Sequence, residues 1–123
     1  MTDATDRTGP EFDVPPGVTL KDATVNVKDV DPALQSFLIV AGLVHMHLFN
    51  QLLVVTSGKD GAHVASSKHE RGKALDLRIN DLPPQYQPAF LLVLRVLCDR
   101  FHLAMFDESF APGMGHVHIE IAG

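Results

Sequence analysis

The sequence predicts an α+β domain in which two helices pack on a small, mostly antiparallel sheet. Three observations carry that expectation. Two long stretches, about 32–49 and 85–101, repeat apolar residues every three or four positions, the period of a helix with one buried face. Shorter stretches at 52–56, 74–79 and 115–121 are β-branched or alternate with period two, as strands do. The resulting order is strand, helix, strand, loop, strand, helix, strand, loop, strand, which suits helices covering one sheet.

A chain of 123 residues with 46% hydrophobic residues fits one domain with a real core. That domain is expected over 21–123, behind an irregular arm at 1–20 rich in Asp, Thr, Pro and Gly. An arm of this kind, if ordered, suggests an assembly contact with another protein. The net charge is −5 and the Lys and Arg residues are scattered, which argues against a nucleic-acid face. Cys98 is the only cysteine, so there is no internal disulfide or thiolate cluster, and its apolar helical setting predicts a buried, inert thiol. Met1 to Arg7 lacks the basic-then-apolar pattern of a secretory signal. The most apolar stretch, Phe37 to Leu48, is short for a bilayer and holds His45 and His47, so no membrane partner is expected. The protein is expected to be cytoplasmic as made.

Taken in order, Thr24 to Lys28 alternates and predicts a short edge strand. Asp31 followed by Pro32 is a helix start, a carboxylate cap and then proline in the first turn. Leu34, Phe37, Leu38, Ala41, Val44 and Leu48 form the apolar face of that helix. Leu52 to Thr56, ended by Ser57-Gly58, reads as a buried strand. In Ala74 to Ile79, Ala74, Asp76 and Arg78 share one side and Leu75, Leu77 and Ile79 the other. Pro83-Pro84 opens the second helix, with Phe90, Leu94, Leu97, Cys98 and Phe101 inward. A strand near 102–107, a loop with Pro112 and Gly113, and a last strand at 115–121 follow.

Chemistry concentrates in two places. Ser67-Lys-His-Glu-Arg-Gly-Lys-Ala-Leu-Asp76 holds a histidine and a carboxylate seven residues apart, and Gly115-His-Val-His-Ile-Glu120 closes the chain. In the last strand His116, His118 and Glu120 point to one face, while Val117, Ile119 and Ile121 point to the other. Three polar side chains in a row are costly on a short apolar strand unless they meet water, each other or a metal. Two imidazoles and one carboxylate suit a zinc ion, and His69, Asp76 and His118 are the candidate ligands. His45 and His47, two apart on a helix, cannot face one metal. His102 is a helix-end residue, and His63 reads first as a plain loop histidine, with lining of the cleft as the alternative.

Ser67-x-His69-x-x-Gly72-x-Ala74-x-Asp76 resembles the signature of the zinc D-Ala-D-Ala carboxypeptidase and L,D-endopeptidase family. Val117-His118-Ile119-Glu120 resembles its closing ligand strand, and Glu108-Ser109 with His116-x-His118 is similar to the related hedgehog domain. Val54 to Gly58 looks like the strand and turn that lead in, so the likeness covers about residues 25–121. It implies a hedgehog/DD-peptidase-like fold and zinc on His69, Asp76 and His118. Glu120 and Ser67 would orient the imidazoles. Glu108 would be the general base, with Asp107 as its alternative, and His116 would stabilise the transition state or move a proton. Many family members carry an arginine after the Ser-Gly turn to grip a substrate carboxylate; this chain has Lys59, so either Lys59, Arg71 or Arg78 would serve, beside Ser67 and His63, or the grip is absent. Many also carry a glutamate three residues before the last ligand, where this chain has Gly115.

The function implied is zinc-dependent hydrolysis of a peptidoglycan stem-peptide bond, of carboxypeptidase or endopeptidase type, in a phage-associated protein. Two alternatives are a non-catalytic virion structural or assembly protein that keeps the fold and metal, and a module that binds wall peptide or glycan without cutting it.

Overall fold

A computed structural model describes residues 12–59, 68, 69, 71–108 and 115–122. The elements are β1 (Val18–Leu20), α1 (Pro32–Phe49), β2 (Leu53–Ser57), β3 (Ala74–Arg78), α2 (Gln87–Phe101), β4 (Leu103–Glu108) and β5 (His116–Ile121). They build one five-stranded sheet in the order β1-β2-β3-β5-β4. β1 runs parallel to β2, and every other neighbouring pair is antiparallel, so the sheet is mixed. The predicted α+β class, with two helices on a mostly antiparallel sheet, matches this architecture.

Each helix starts and stops where its local chemistry directs. Asp31 caps α1, its side chain accepting a 2.9 Å hydrogen bond from the Ala33 N–H. Asn50 ends α1 in the left-handed conformation at φ 54°, and His102 ends α2 in the same way at φ 59°. Pro83 and Pro84 do not begin α2. They head a turn in which Tyr86 N–H bonds to Pro83 O, and the helix proper starts at Gln87.

The core lies between the helices and one face of the sheet. Leu34, Phe37, Leu38 and Ala41 of α1 and Phe90, Leu94 and Cys98 of α2 are buried against Leu75, Leu77, Val117 and Ile119. Leu48 departs from the expected α1 face: it is 53% exposed, and His45 is buried instead. His45 Nδ1 meets Gln51 O at 2.7 Å, and its ring packs edge-on against Phe49 and Phe90, so the end of the helix buries a satisfied imidazole. His47 is exposed, consistent with two histidines that share no ligand. By length and composition α1 could cross a membrane, with a mean hydropathy of 1.5. Here its apolar face packs on β1, β2, β5 and α2.

The first strand is not where alternation placed it. Thr24–Lys28 forms no strand; Val18–Leu20 does, within the segment expected to be an irregular arm. The alternation at 24–28 is nevertheless a burial pattern, because Val25 and Val27 are 5% and 3% exposed and belong to the core. Asp22 explains why no ladder forms there: its carboxylate accepts from the Thr24 N–H at 2.9 Å, and this local turn competes with strand pairing. Residues 1–11 of the expected arm lie outside the described residues.

Candidate metal centre

The sheet face turned away from the helices carries the polar rows. On it, antiparallel register sets Asp76 opposite His118 and Phe106 opposite His118 from the other side. The next row along is Arg78, His116 and Glu108. A register shift between Val55 and Ser57 of β2 turns Ser57 toward the same face, opposite Asp76. Without that extra residue Ser57 would point into the core.

His69 reaches this face from a tight turn. Lys73 N–H bonds to Lys68 O at 2.7 Å and Gly72 N–H to His69 O at 3.0 Å. Gly72 sits at φ 72°, and a Cβ there would stand 2.7 Å from Asp29 O. The motif glycine is thus required both by its left-handed backbone and by close contact with the segment ahead of α1.

Three side chains converge as the sequence predicts. His69 Nε2 lies 3.2 Å from Asp76 Oδ2, and His118 Nδ1 lies 2.9 Å from Asp76 Oδ1. One ligand atom from each of the three residues can be chosen so that all lie within 4.8 Å of one another, a group that could hold a metal ion. The two rings stand 5.1 Å apart at 72°.

The far side of each ring decides what the near side can do. His69 Nδ1 is 3.0 Å from Gly58 O, an atom that only accepts, so Nδ1 carries the hydrogen. His118 Nε2 is 2.8 Å from Glu120 Oε1, and that carboxylate also demands a donor. In their neutral forms both imidazoles therefore turn a lone pair toward Asp76. Two lone pairs facing a carboxylate need a cation or protons between them. These outward hydrogen bonds are the partners that ligating histidines require, and the residues present fit a divalent ion with nitrogen and oxygen ligands.

Charge in the cluster follows. Burial would raise the Asp76 carboxyl, but hydrogen bonds from His118 and His69 hold it far below the usual carboxylate range. Burial disfavours a charged His69, yet its bond to Asp76 outweighs this and raises its proton affinity. The bond to Asp76 likewise raises His118, against burial and with help from Glu120. Glu120 would be raised by burial but is lowered by Lys68 and His118.

Glu108 and His116, the expected base and its partner, are brought together: His116 Nε2 is 2.8 Å from Glu108 Oε1. They lie one row from the ligands on the same face, about 7 Å along the strand. Asp107 is opposite Val117 and so belongs to the other face. Lys59 and Arg71 are exposed in the turns that flank His69, and Arg78 is tied to Asp81 at 3.0 Å. His63 and Ser67 lie outside the described residues. His102 is exposed at the end of α2, a capping position as expected.

Four participants escaped the sequence reading. Ser57 Oγ, 3.4 Å from His69 Nδ1, and Gly58 O flank the first ligand. Lys68 Nζ bonds Glu120 Oε2 at 2.9 Å and Ile121 O at 2.7 Å. Phe106 is 49% exposed with its ring 5.9 Å from that of His118. Lys68 had a signal in its place beside His69, and Ser57 and Gly58 in the Val54 to Gly58 strand and turn; Phe106 depends on register alone. No protein-family model matches this chain, and no curated protein matches it. Fold and site thus define an α+β protein with a His-Asp-His group able to hold a metal ion.

Proposed function

We propose that this protein is a zinc-dependent hydrolase of a peptidoglycan stem-peptide bond, of carboxypeptidase or endopeptidase type, on a hedgehog/DD-peptidase-like fold in a phage-associated protein. The observation that carries the reading is the pair of outward hydrogen bonds, His69 to Gly58 O and His118 to Glu120, which turn the other nitrogen of each ring toward Asp76. Zinc is the expected ion because two imidazoles and one carboxylate are a common catalytic zinc set. When bound, zinc supplies a Lewis acid that acidifies water and polarises a carbonyl.

The chain's own residues supply the rest. Glu108, 42% exposed, takes the proton of the attacking water, and His116 at 2.8 Å stabilises the developing oxyanion or passes that proton on. Gly115 stands where many members of the resembled family carry a glutamate, and at φ 64° a glutamate there would be strained, so the hydrolase reading requires Glu108 as the base. Phe106, exposed beside His118, offers an apolar wall to a small side chain of the peptide.

A second reading, a non-catalytic virion structural protein that keeps the ion for stability, draws on the same centre. His69 comes from a turn and Asp76 and His118 from neighbouring strands, so an ion there would tie the turn to the sheet. Incubating purified peptidoglycan with wild type and Glu108→Ala separates the two. The hydrolase reading expects released peptide or D-alanine from wild type and a loss of about 10²–10⁴-fold in the variant, at unchanged zinc content. Equal inactivity with zinc bound in both supports the structural protein, and absence of bound zinc from wild type defeats both.

A further inference from the structure

We propose that Lys68 is a positioning residue for the metal centre, holding the two histidine ligands at their working separation through Glu120. This inference rests on the reading of His69, Asp76 and His118 as metal ligands.

Lys68 immediately precedes His69 in the chain, yet its ammonium reaches the strand that carries the other histidine. Nζ lies 2.9 Å from Glu120 Oε2 and 2.7 Å from Ile121 O on β5. The backbone beneath makes the same connection: Ile121 N–H bonds to Lys73 O at 2.9 Å, and Lys73 N–H bonds to Lys68 O at 2.7 Å. The turn that presents His69 is thereby joined to β5 by one side chain and by the main chain.

The side chain adds what the main chain cannot. Lys68 takes one oxygen of Glu120, and that leaves Oε1 aimed at His118 Nε2, 2.8 Å away. The Lys68 and Glu120 side chains are only 25% and 20% exposed, so water competes weakly for either. A carboxylate on a short unbranched stem has several rotamers. Fixing one of its oxygens on a cation that is itself pinned to Ile121 O leaves one of them. The result is a relay from Lys68 to Glu120 to His118 that sets the ring's orientation and tautomer. Because Lys68 rides on the His69 turn, both ligands are referred to one frame. Partners behind ligating histidines typically change metal affinity by about 10–100-fold when removed.

The test is zinc affinity of the full chain, measured by chelator competition, in wild type, Lys68→Met, Glu120→Gln and the double variant, with Lys68→Arg as the conservative replacement. Thermal unfolding of each metal-free protein and the visible spectrum of each cobalt-loaded protein are recorded alongside. The expected result is affinity lower by about 10–100-fold in Lys68→Met and a shifted cobalt spectrum. Unfolding of the metal-free form should be little changed, and Lys68→Arg should restore most of the affinity. The double variant should be scarcely weaker than Glu120→Gln, because Lys68 acts through Glu120. Wild-type affinity and spectrum in Lys68→Met would overturn the inference while leaving the metal centre intact. Fully additive losses would do so too. If Lys68→Met proves unstable, the spectrum of Glu120→Gln decides, since an unshifted one removes the middle of the relay. Failure of wild type itself to bind zinc or cobalt would instead refute the metal reading, and the inference with it.

Discussion

Replacing Asp76 with asparagine tests the electrostatics of the centre without any assumption about turnover. The substitution keeps size and shape and removes one charge. In metal-free protein the Asp76 carboxylate meets His69 at 3.2 Å and His118 at 2.9 Å, with side-chain exposures of 13%, 7% and 20% for the three residues. Such a group is closer to a buried pair than to a surface one. Removing one partner of a buried pair costs about 3–5 kcal/mol, and hydrogen bonds to charged groups contribute about 1.5–3 kcal/mol each. We therefore expect a loss of about 3 kcal/mol near pH 6, a fall in Tm of about 10–15 °C for a domain of this size.

The pH dependence of that loss is the sharper part. His69 and His118 have raised folded pKa values. Their charged contribution is fully present below the unfolded value of about 6.5 and is lost as pH rises through the folded values. Asp76 is lowered, so its share is present above its ordinary value and disappears only in strong acid. The window of greatest effect is bounded below by ordinary carboxylate titration and above by the raised imidazoles. The two imidazoles share one carboxylate and repel each other, so they titrate as a coupled pair. As pH rises through the raised imidazole values the rings lose the protons that face Asp76 and turn lone pairs toward it, so the bonds the variant removes are themselves lost and its cost should shrink toward zero by pH 9. The assay is thermal or urea unfolding by circular dichroism on chelator-treated protein at pH 6 and pH 9. Equal losses at the two pH values, or a loss below about 1 kcal/mol at pH 6, would refute the reasoning.

Three further outcomes are expected. Phe37→Ala removes a fully buried ring that stands edge-on to Phe101 at 6.2 Å, and should cost about 3–5 kcal/mol in urea unfolding. Asp31→Ala removes both the α1 cap and the partner of Lys73 at 2.7 Å, and should cost about 1–2 kcal/mol at pH 7. Lys73 and the Ala33 N–H lower the Asp31 carboxyl, so its contribution is lost as pH falls through that lowered value, and melts of wild type and variant should converge in strong acid. Cys98 is 2% exposed and burial pushes its thiol up to about 12, so an aromatic disulfide reagent should label it only after unfolding.

The sequence by itself determined the two helical faces, the strands after α1 and the candidate ligands. A period of three or four is legible in α1 and α2 because helix geometry alone sets it, and a period of two is legible in β3 and β5 for the same reason. Asp31-Pro32 marked a helix start because a cap needs only its neighbours. Val25 and Val27 show the limit: alternation reported their burial correctly but could not say that Val18–Leu20, not they, would pair with β2. Tertiary structure alone decided what depends on register between distant strands. The shift between Val55 and Ser57 aims Ser57 at the site, and the pairing of Glu108 with His116 joins two expected residues. Gly58 O and Glu120 select which nitrogen of each ring carries a hydrogen, and Lys68 finds β5 across 53 residues of chain. A lone pair takes its direction from the donor or acceptor opposite it, and that neighbour is known only once the chain has closed on itself.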